Sequence, residues 1–431
     1  MVKNKKAQPI PCGWSIVPVG KIFSYVKSYA LSREKLNYGL VSIGNVGNIH
    51  YGDIHSTFNS SIISLDDTLV PIVVENTFHP STEDLLKDGD LVMADASEDY
   101  EGVATNVLVR GLNSKKVVGG LHTFVLRGKP DATLKSFRQY IFSNPTIRRH
   151  LQKVANGVSV YSISKYEVSK VQLLLPPLPE QKRIVAVLEA WDGYLRGLDR
   201  KIEIKKNIKK GLMQQLLTGK KRLKGFCEKW EIIKLKSMGE IVTGNTPPMK
   251  DKSNYGSDYC WATADDFKSK YIKNTEVKLS EIGKNLSRWL PKGSLLITCI
   301  ASIGKNAIAA VPLATNQQIN SIIVNEKYNN EFLFYLINNS LTLLRKFAGA
   351  GAMPILNKND FSDLRLNVPK LKKEQDAIAD ILTKADAEIE ALEKKRGVVA
   401  AQKKYLLNKL ITGEIRTPED LLDKVKNYEK N

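Results

Sequence analysis

Two sets of side chains in this sequence have the chemistry to grip a polyanion and to read it. The first comprises Lys35, Asn37, Tyr38, Asn45, Asn48, His50 and Tyr51, joined by Arg110, Lys115 and Lys116. The second comprises Lys250, Lys252, Asn254 and Tyr255, then Lys305, Asn306, Gln317, Gln318 and Asn320. Lys and Arg neutralise phosphates and make affinity fall with salt, whereas Asn, Gln and Arg form paired hydrogen bonds with base edges. Both sets also admit a plain reading, because polar residues gather in any loop and an Asn–Gln run can simply cap a strand.

Charge favours the polyanion. The chain carries a formal net charge of +20 with a pI near 9.5, a balance suited to nucleic acid or to anionic lipid. Its 431 residues, 42% of them apolar, imply a globular protein of two or more domains, each able to bury a core. Cys12, Cys227, Cys260 and Cys299 are too scattered for a disulfide framework or a zinc knuckle and read as reduced thiols in a cytoplasm. Lys3, Lys5 and Lys6 have no apolar stretch behind them, so a signal peptide is not expected, and no apolar run approaches bilayer-spanning length. The histidines, His50, His55, His79, His122 and His150, are expected to pack or hydrogen-bond rather than to hold a metal.

What must position these side chains is a duplicated scaffold. The stretch from Glu180-Gln181 to Leu217-Thr218-Gly219 returns as Glu374-Gln375 to Ile411-Thr412-Gly413, at a constant offset of 194 residues and without a gap. In the first copy Ile184, Leu188, Trp191, Leu195, Leu198 and Ile202 alternate steps of four and three, the seam of a helix made to pack on a partner helix. The second copy runs Ile378, Leu382, Ala385, Ile389 and Leu392, then Arg396, Val399, Lys403, Leu406 and Leu410; the two basic interruptions should fix register at some cost in stability. Prolines before each helix and Thr-Gly after it are start and stop signals. The second helix can bury its stripe by running back along the first, so the pair is expected to be antiparallel. About 40 residues at about 1.5 Å each span roughly 60 Å.

The segments before the helices share anchors. Trp14-Ser15-Ile16-Val17 parallels Trp230-Glu231-Ile232-Ile233, Lys87 to Val92 parallels Pro291 to Leu296, and Ser164 to Val168 parallels Asn357 to Phe361. Leu295 to Ile300 and Ser321 to Val324 read as short buried strands, with helices near Thr133 to Asn144 and Glu331 to Phe347. The fold class is therefore α/β of the α+β kind: two mixed α/β units joined by two long antiparallel coiled-coil helices in a pseudo-two-fold tandem repeat. From Arg200 to Lys224, ten Lys or Arg stand against Glu203 alone. That run suits spacer phosphates, an acidic patch on a partner, or plain solvation.

The tandem order, the starts Pro176-Pro177-Leu178-Pro179-Glu180-Gln181 and Pro369-Lys370-Leu371-Lys372-Lys373-Glu374-Gln375, and the closing Leu-Thr-Gly and Ile-Thr-Gly resemble the specificity subunit of type I restriction-modification systems. Thr243-Gly244-Asn245-Thr246-Pro247-Pro248, Ser302-Ile303-Gly304, Thr315-Asn316-Gln317-Gln318-Ile319 and Gly120-Leu121-His122-Thr123 are similar to further pieces of that family. One departure is an extra residue between Leu371 and Glu374. The resemblance implies a first target recognition domain over 1–175, a helical spacer over 176–222, a second recognition domain over 223–368, a second spacer over 369–416 and a tail over 417–431.

It further implies that each recognition domain reads one half of a split, asymmetric site in double-stranded DNA, while the helices set the gap and dock methyltransferase subunits, expected as two. Those partners would bring S-adenosylmethionine for adenine-N6 methylation, and restriction subunits would bring ATP, Mg and the nuclease. The chain itself is expected to hold no cofactor and no catalytic residue. It has no Asn/Asp-Pro-Pro-aromatic motif, Asn245-Thr246-Pro247-Pro248 having the wrong order, and no Gly-rich loop ending in Lys-Ser/Thr. Two other readings stay open: a coiled-coil adaptor that binds proteins, discriminated by the lack of salt-sensitive DNA affinity, and a self-contained nuclease with an unrecognised site, discriminated by metal-dependent cleavage.

Overall fold

The structure is a computed structural model that describes residues 10–42, 44–58, 60–66, 68–74, 78–340, 344 and 355–423. It divides into two compact units, the first of residues 1–197 with 397–431, the second of 198–396. This differs from a division into five consecutive segments. Each long helix, Leu178–Leu216 and Lys372–Ile411, gives one stretch to each unit.

In the first unit a five-stranded sheet runs in the order Phe23–Val26, Thr123–Gly128, Leu91–Ala94, Asn106–Arg110, Ile62–Ser64. All pairings are antiparallel except the last, which is parallel. A second, four-stranded sheet runs Lys116–Gly119, Val46–Ile49, Val70–Val73, Leu36–Gly39. The second unit repeats the first sheet strand for strand: Gly239–Thr243, Ile319–Val324, Leu295–Thr298, Asn306–Ala309, Tyr271–Ile272, again with a parallel last pair. The shared anchors explain the identity. Gly89 and Gly293 adopt φ of +92° and +90°, a turn that suits glycine, and each delivers a wholly buried strand, Leu91–Ala94 or Leu295–Thr298. Capping by Ser164 and Asn357 starts the helices Lys165–Lys170 and Lys358–Asp363. The strand after each pairs back to the tryptophan strand, Ser15–Pro18 with Gln172–Leu175 and Trp230–Lys234 with Arg365–Pro369.

The helix expected near Thr133 to Asn144 is a single turn, Arg138–Ile141, and the longer helix is Pro145–Val154, started by Asn144 as N-cap with Pro at its first turn. The expected helix at Glu331 to Phe347 is seen as Asn330–Asn339; residues 341–343 and 345–347 of that expectation, and 424–431 of the expected tail, lie outside the described residues.

Within each unit the two helix stretches pack antiparallel. In the second unit Lys209 meets Asp386 at 2.5 Å, and Arg396 meets Asp199 at 2.8 Å. In the first unit Lys403 donates to Asp192. Asp192 and Asp386, like Lys209 and Lys403, are equivalent in the repeat, so one contact is made twice. The basic interruptions of the second seam, Arg396 and Lys403, are thus answered by Asp199 and Asp192. Ile184, Leu188 and Leu410 join the first unit's core, and Leu216, Ile378 and Leu382 the second's.

Each helix start is closed by the same three groups. Glu180, 1% exposed, accepts from Trp14 Nε1 at 2.9 Å and from the Arg416 guanidinium at 2.6 and 2.7 Å. Glu374 accepts from Trp230 Nε1 at 3.4 Å and from Arg222 at 2.7 and 2.8 Å. Such forked charge-assisted bonds are among the strongest available to side chains. The extra residue of the second start is absorbed locally: Gln181 reaches the Pro176 carbonyl and Gln375 the Pro369 carbonyl, both at 2.9 Å.

Burial pushes the Glu180 carboxyl up, but the hydrogen bonds from Arg416 and Trp14 outweigh it and hold the group below the usual carboxylate range. A carboxylate depressed on folding adds stability that is present above its unfolded pKa of roughly 4.3 and lost as pH falls through the folded value. Glu180→Gln is therefore expected to lower stability at pH 7 by about 1–3 kcal/mol, with the difference from wild type shrinking below about pH 4. Melting curves across that range check it, and a pH-independent difference would remove the charge from the account.

Candidate nucleic-acid interface

In the second unit part of the polar set lies on loops at one end of the sheet that contains Gly239–Thr243 and Ile319–Val324. Register puts Thr243 opposite Asn320 and Thr298 opposite Ile319, so the loops that follow Thr243 and Thr298 emerge beside the loop that precedes Ile319. The loop after Thr243 is held closely. Gly244 N–H donates to the Ile319 carbonyl at 3.1 Å and Asn245 N–H to the Thr315 carbonyl at 2.9 Å, while the Asn245 side chain accepts from Arg288 N–H at 2.9 Å. A Cβ on Gly244 would stand 2.3 Å from two backbone carbonyl oxygens, which is why this position is glycine.

The Thr246 hydroxyl donates to Gln317, Tyr255 OH donates to the Pro247 carbonyl at 2.8 Å, and Asn254 Nδ2 donates to the Pro248 carbonyl at 3.1 Å. Lys250, Lys252, Lys305 and Gln317 are exposed; Gln318 and Tyr255 are half-buried. Three of the expected base-reading amides turn inward instead. Asn254 and Asn320 are 1% and 3% exposed, Asn320 accepting from Thr243 at 2.6 Å, and half-buried Asn306 donates to the Phe334 carbonyl at 2.8 Å. Short polar side chains serve loops inside a fold as readily as ligands outside it.

The first unit's set divides. Lys35 lies in the turn before strand Leu36–Gly39, whose Asn37 and Tyr38 are exposed at one edge of the four-stranded sheet, and Lys116 opens the strand at the other edge. Tyr38 OH donates to Asp53. Asn45 accepts from Ser42 N–H at 2.8 Å in a turn. Asn48 is fully buried, and His50, 5% exposed, caps the helix Tyr51–Ser56 by accepting from Gly52 N–H at 3.1 Å. Burial pulls the His50 pKa below its usual value. Arg110 and Lys115 are engaged within the unit, Arg110 with Glu189 at 3.4 Å and Lys115 with the Leu65 carbonyl at 2.6 Å.

Tyr51 stands edge-on to His122, ring centroids 5.3 Å apart, and His122 Nδ1 lies 3.1 Å from Asp95 Oδ1. His122, Thr246 and Arg288 stand beside these residues without having been among the expected contacts; the first two sit in motifs already noticed. Part of the basic run is answered by acids of its own unit: Lys205 by Glu388 at 2.7 Å, Lys206 by Glu393 at 2.6 Å, Lys209 by Asp386 and, past the helix end, Arg222 by Glu374. Among the described residues, no helix is long and apolar enough to cross a membrane.

The exposed and buried members of the second set should respond differently. Lys250→Ala or Lys252→Ala is expected to weaken binding to all DNA sequences and to reduce the salt slope by about one per phosphate contact. Gln317→Ala should cost about 1–3 kcal/mol of discrimination at one base pair. Asn320→Ala should register as about 1–3 kcal/mol of lost stability, because it strands buried partners. Titrations of specific and random duplexes at several salt concentrations, beside melting curves, separate the three; a Gln317 variant with unchanged discrimination removes that loop from readout.

Comparison with known proteins finds relatives along nearly the whole chain. A family model described as the type I restriction modification DNA specificity domain matches residues 13–214 and again 227–399. The putative type I restriction enzyme MjaX specificity subunit of Methanocaldococcus jannaschii is 25% identical over 383 residues, covering 80% of this chain and 87% of that one. The type I restriction enzyme HindI specificity subunit of Haemophilus influenzae is 30% identical over 195 residues, 43% of this chain and 42% of its own. A chain solved in a study of complex assembly and conformational transition of the type I R-M system superposes with a TM-score of 0.64 at 19% identity, covering 95% of this chain and 100% of that chain. The HsdS subunit from Thermoanaerobacter tengcongensis gives 0.51 at 18% identity, with 95% and 99% covered. The last two likenesses establish the fold.

Proposed function

This chain belongs to the type I restriction modification DNA specificity family, and from that premise we propose that it is the DNA-recognition subunit of a type I restriction-modification complex, with each unit reading one half of a bipartite, asymmetric target. The observation that carries the two-reader form is the repeated sheet. One strand order occurs twice, yet the loops at its reading end carry Gln317 and Gln318 in one unit and Leu121 and His122 in the other. A common scaffold with unlike loops suits two unlike half-sites.

Lys35, Asn37, Tyr38, Tyr51 and Lys116 in the first unit, and Lys250, Lys252, Tyr255, Lys305, Gln317 and Gln318 in the second, are the candidates for DNA contact. Lysines supply sequence-independent affinity and the glutamines base discrimination. The paired helix stretches offer the surface for modification subunits, two by the symmetry of the repeat, and for restriction subunits. S-adenosylmethionine, ATP and Mg would be held by those partners, this chain acting without catalysis of its own in the cytoplasm. Sequencing the methylome of the host with and without this gene tests the proposal. A split adenine-methylated motif should vanish on deletion, and an unchanged methylome would refute it.

A further inference from the structure

We propose that His122 is a specificity-determining residue of the first unit, contacting one base edge of the half-site that this unit reads; the inference rests on the reading of the chain as a DNA specificity subunit.

Strand register identifies the position. Leu126 pairs with Leu91 and Thr123 with Ala94 in the first unit, as Ile322 pairs with Leu295 and Ile319 with Thr298 in the second. Since Leu91 and Leu295 follow equivalent glycine turns, Thr123 corresponds to Ile319, and the residue before each, His122 or Gln318, occupies the same place at the same end of the sheet. Leu121 then corresponds to Gln317. Where the second unit offers two amides, the first offers an aliphatic side chain and an imidazole, and of these the imidazole can form hydrogen bonds with a base.

The surroundings hold that ring in one pose. His122 has φ of +52°, a left-handed conformation that non-glycine residues seldom adopt and that clusters at ligand-binding sites. An ordinary surface ion pair does not require it. Backbone bonds lock the turn: Gly120 N–H donates to the Ile49 carbonyl at 2.8 Å, Tyr51 N–H to the Leu121 carbonyl at 3.2 Å, and Asp95 N–H to the His122 carbonyl at 3.1 Å. A Cβ at Gly120 would meet Asn48 Oδ1 at 2.3 Å, so the buried Asn48 fixes the approach from behind. The Asp95 side chain is 20% exposed and that of His122 52%, which makes Asp95 the anchor and the ring the presented group. With Nδ1 bonded to Asp95 and Tyr51 against the ring, Nε2 is left for a ligand. Asp95 is a positioning residue in this scheme.

The test uses the full chain in complex with its modification subunits. Methylome sequencing defines the wild-type motif, and duplexes with each half-site base replaced in turn are then titrated against wild type, His122→Ala and His122→Gln. The Ala variant should lose about tenfold or more of its discrimination at one base pair of the first half-site, with the second half read as before and the melting temperature retained. The Gln variant, carrying the side chain of the equivalent position, keeps the experiment decisive if Ala fails to fold; it should change which base is preferred at that one pair. Unchanged discrimination in both variants, or uniform weakening on all duplexes with a smaller salt slope, overturns the assignment and leaves the functional reading standing. Absence of any bipartite motif in the wild type overturns the functional reading itself.

Discussion

Exchanging residues 1–175 for the equivalent unit of a relative is expected to change one half of the methylated motif completely and to leave the other half as it was. The five-stranded sheet of the first unit, the four-stranded sheet and the His122 turn all fall inside the exchanged segment, whereas the second unit draws on residues 198–396. The structure adds a condition that chain order conceals. The first unit is completed by residues after 396, because Arg416 clamps Glu180 beneath Trp14 and Asn144 donates to the Ile411 carbonyl at 3.1 Å. The incoming unit must therefore carry Trp at position 14 and an amide at position 144, or it will lack its own partners on the retained helix. Methylome sequencing of the hybrid decides: a change in both halves, or in neither, ends the two-reader account.

Much of this was legible in the sequence, and for a physical reason. The helices repeat a seam, and a seam of one spacing specifies one way of burying it. The antiparallel pairing, the starts at Glu180 and Glu374 and the Thr-Gly stops followed from residues whose neighbours lie along the chain. The equality of the sheet from Phe23–Val26 to Ile62–Ser64 with the sheet from Gly239–Thr243 to Tyr271–Ile272 did not. Strands such as Leu91–Ala94 and Leu295–Thr298 are buried on both faces, where any apolar residue of suitable size serves, so strand order persists while sequence likeness fades. The site was legible in part. Lys250, Lys252 and Gln317 lie at the surface, but Asn48, Asn254 and Asn320 have the same chemistry and are buried, because whether an amide faces a loop or a ligand depends on strand register that composition does not encode. In the basic run from Arg200 to Lys224, Lys205, Lys206 and Lys209 meet acids that lie far along the chain on the second helix, pairings that composition does not reveal.

A heptad inserted at opposed points in both helices is expected to lengthen the unspecified spacer of the target without altering either half-site. Because Asp199 faces Arg396 and Lys209 faces Asp386, the bond after Arg200 lies across from the bond after Lys394, and these two points are also equivalent in the repeat. Seven residues at each keep the apolar stripe in phase and add roughly 10 Å of helix, close to three base-pair steps at about 3.4 Å each. Each reading end then keeps its own loops, so the half-sites stay while the gap grows by about three base pairs. Four residues inserted after Arg200 alone put the helices out of step. The Lys403–Asp192 contact and the Lys209–Asp386 contact can no longer both form, nor can both seams stay buried, and modification activity should be lost altogether. Methylome sequencing of cells carrying the matched insertion reads the outcome directly. A spacer of unchanged length would mean that the helices serve as a platform for partner subunits and do not measure the DNA.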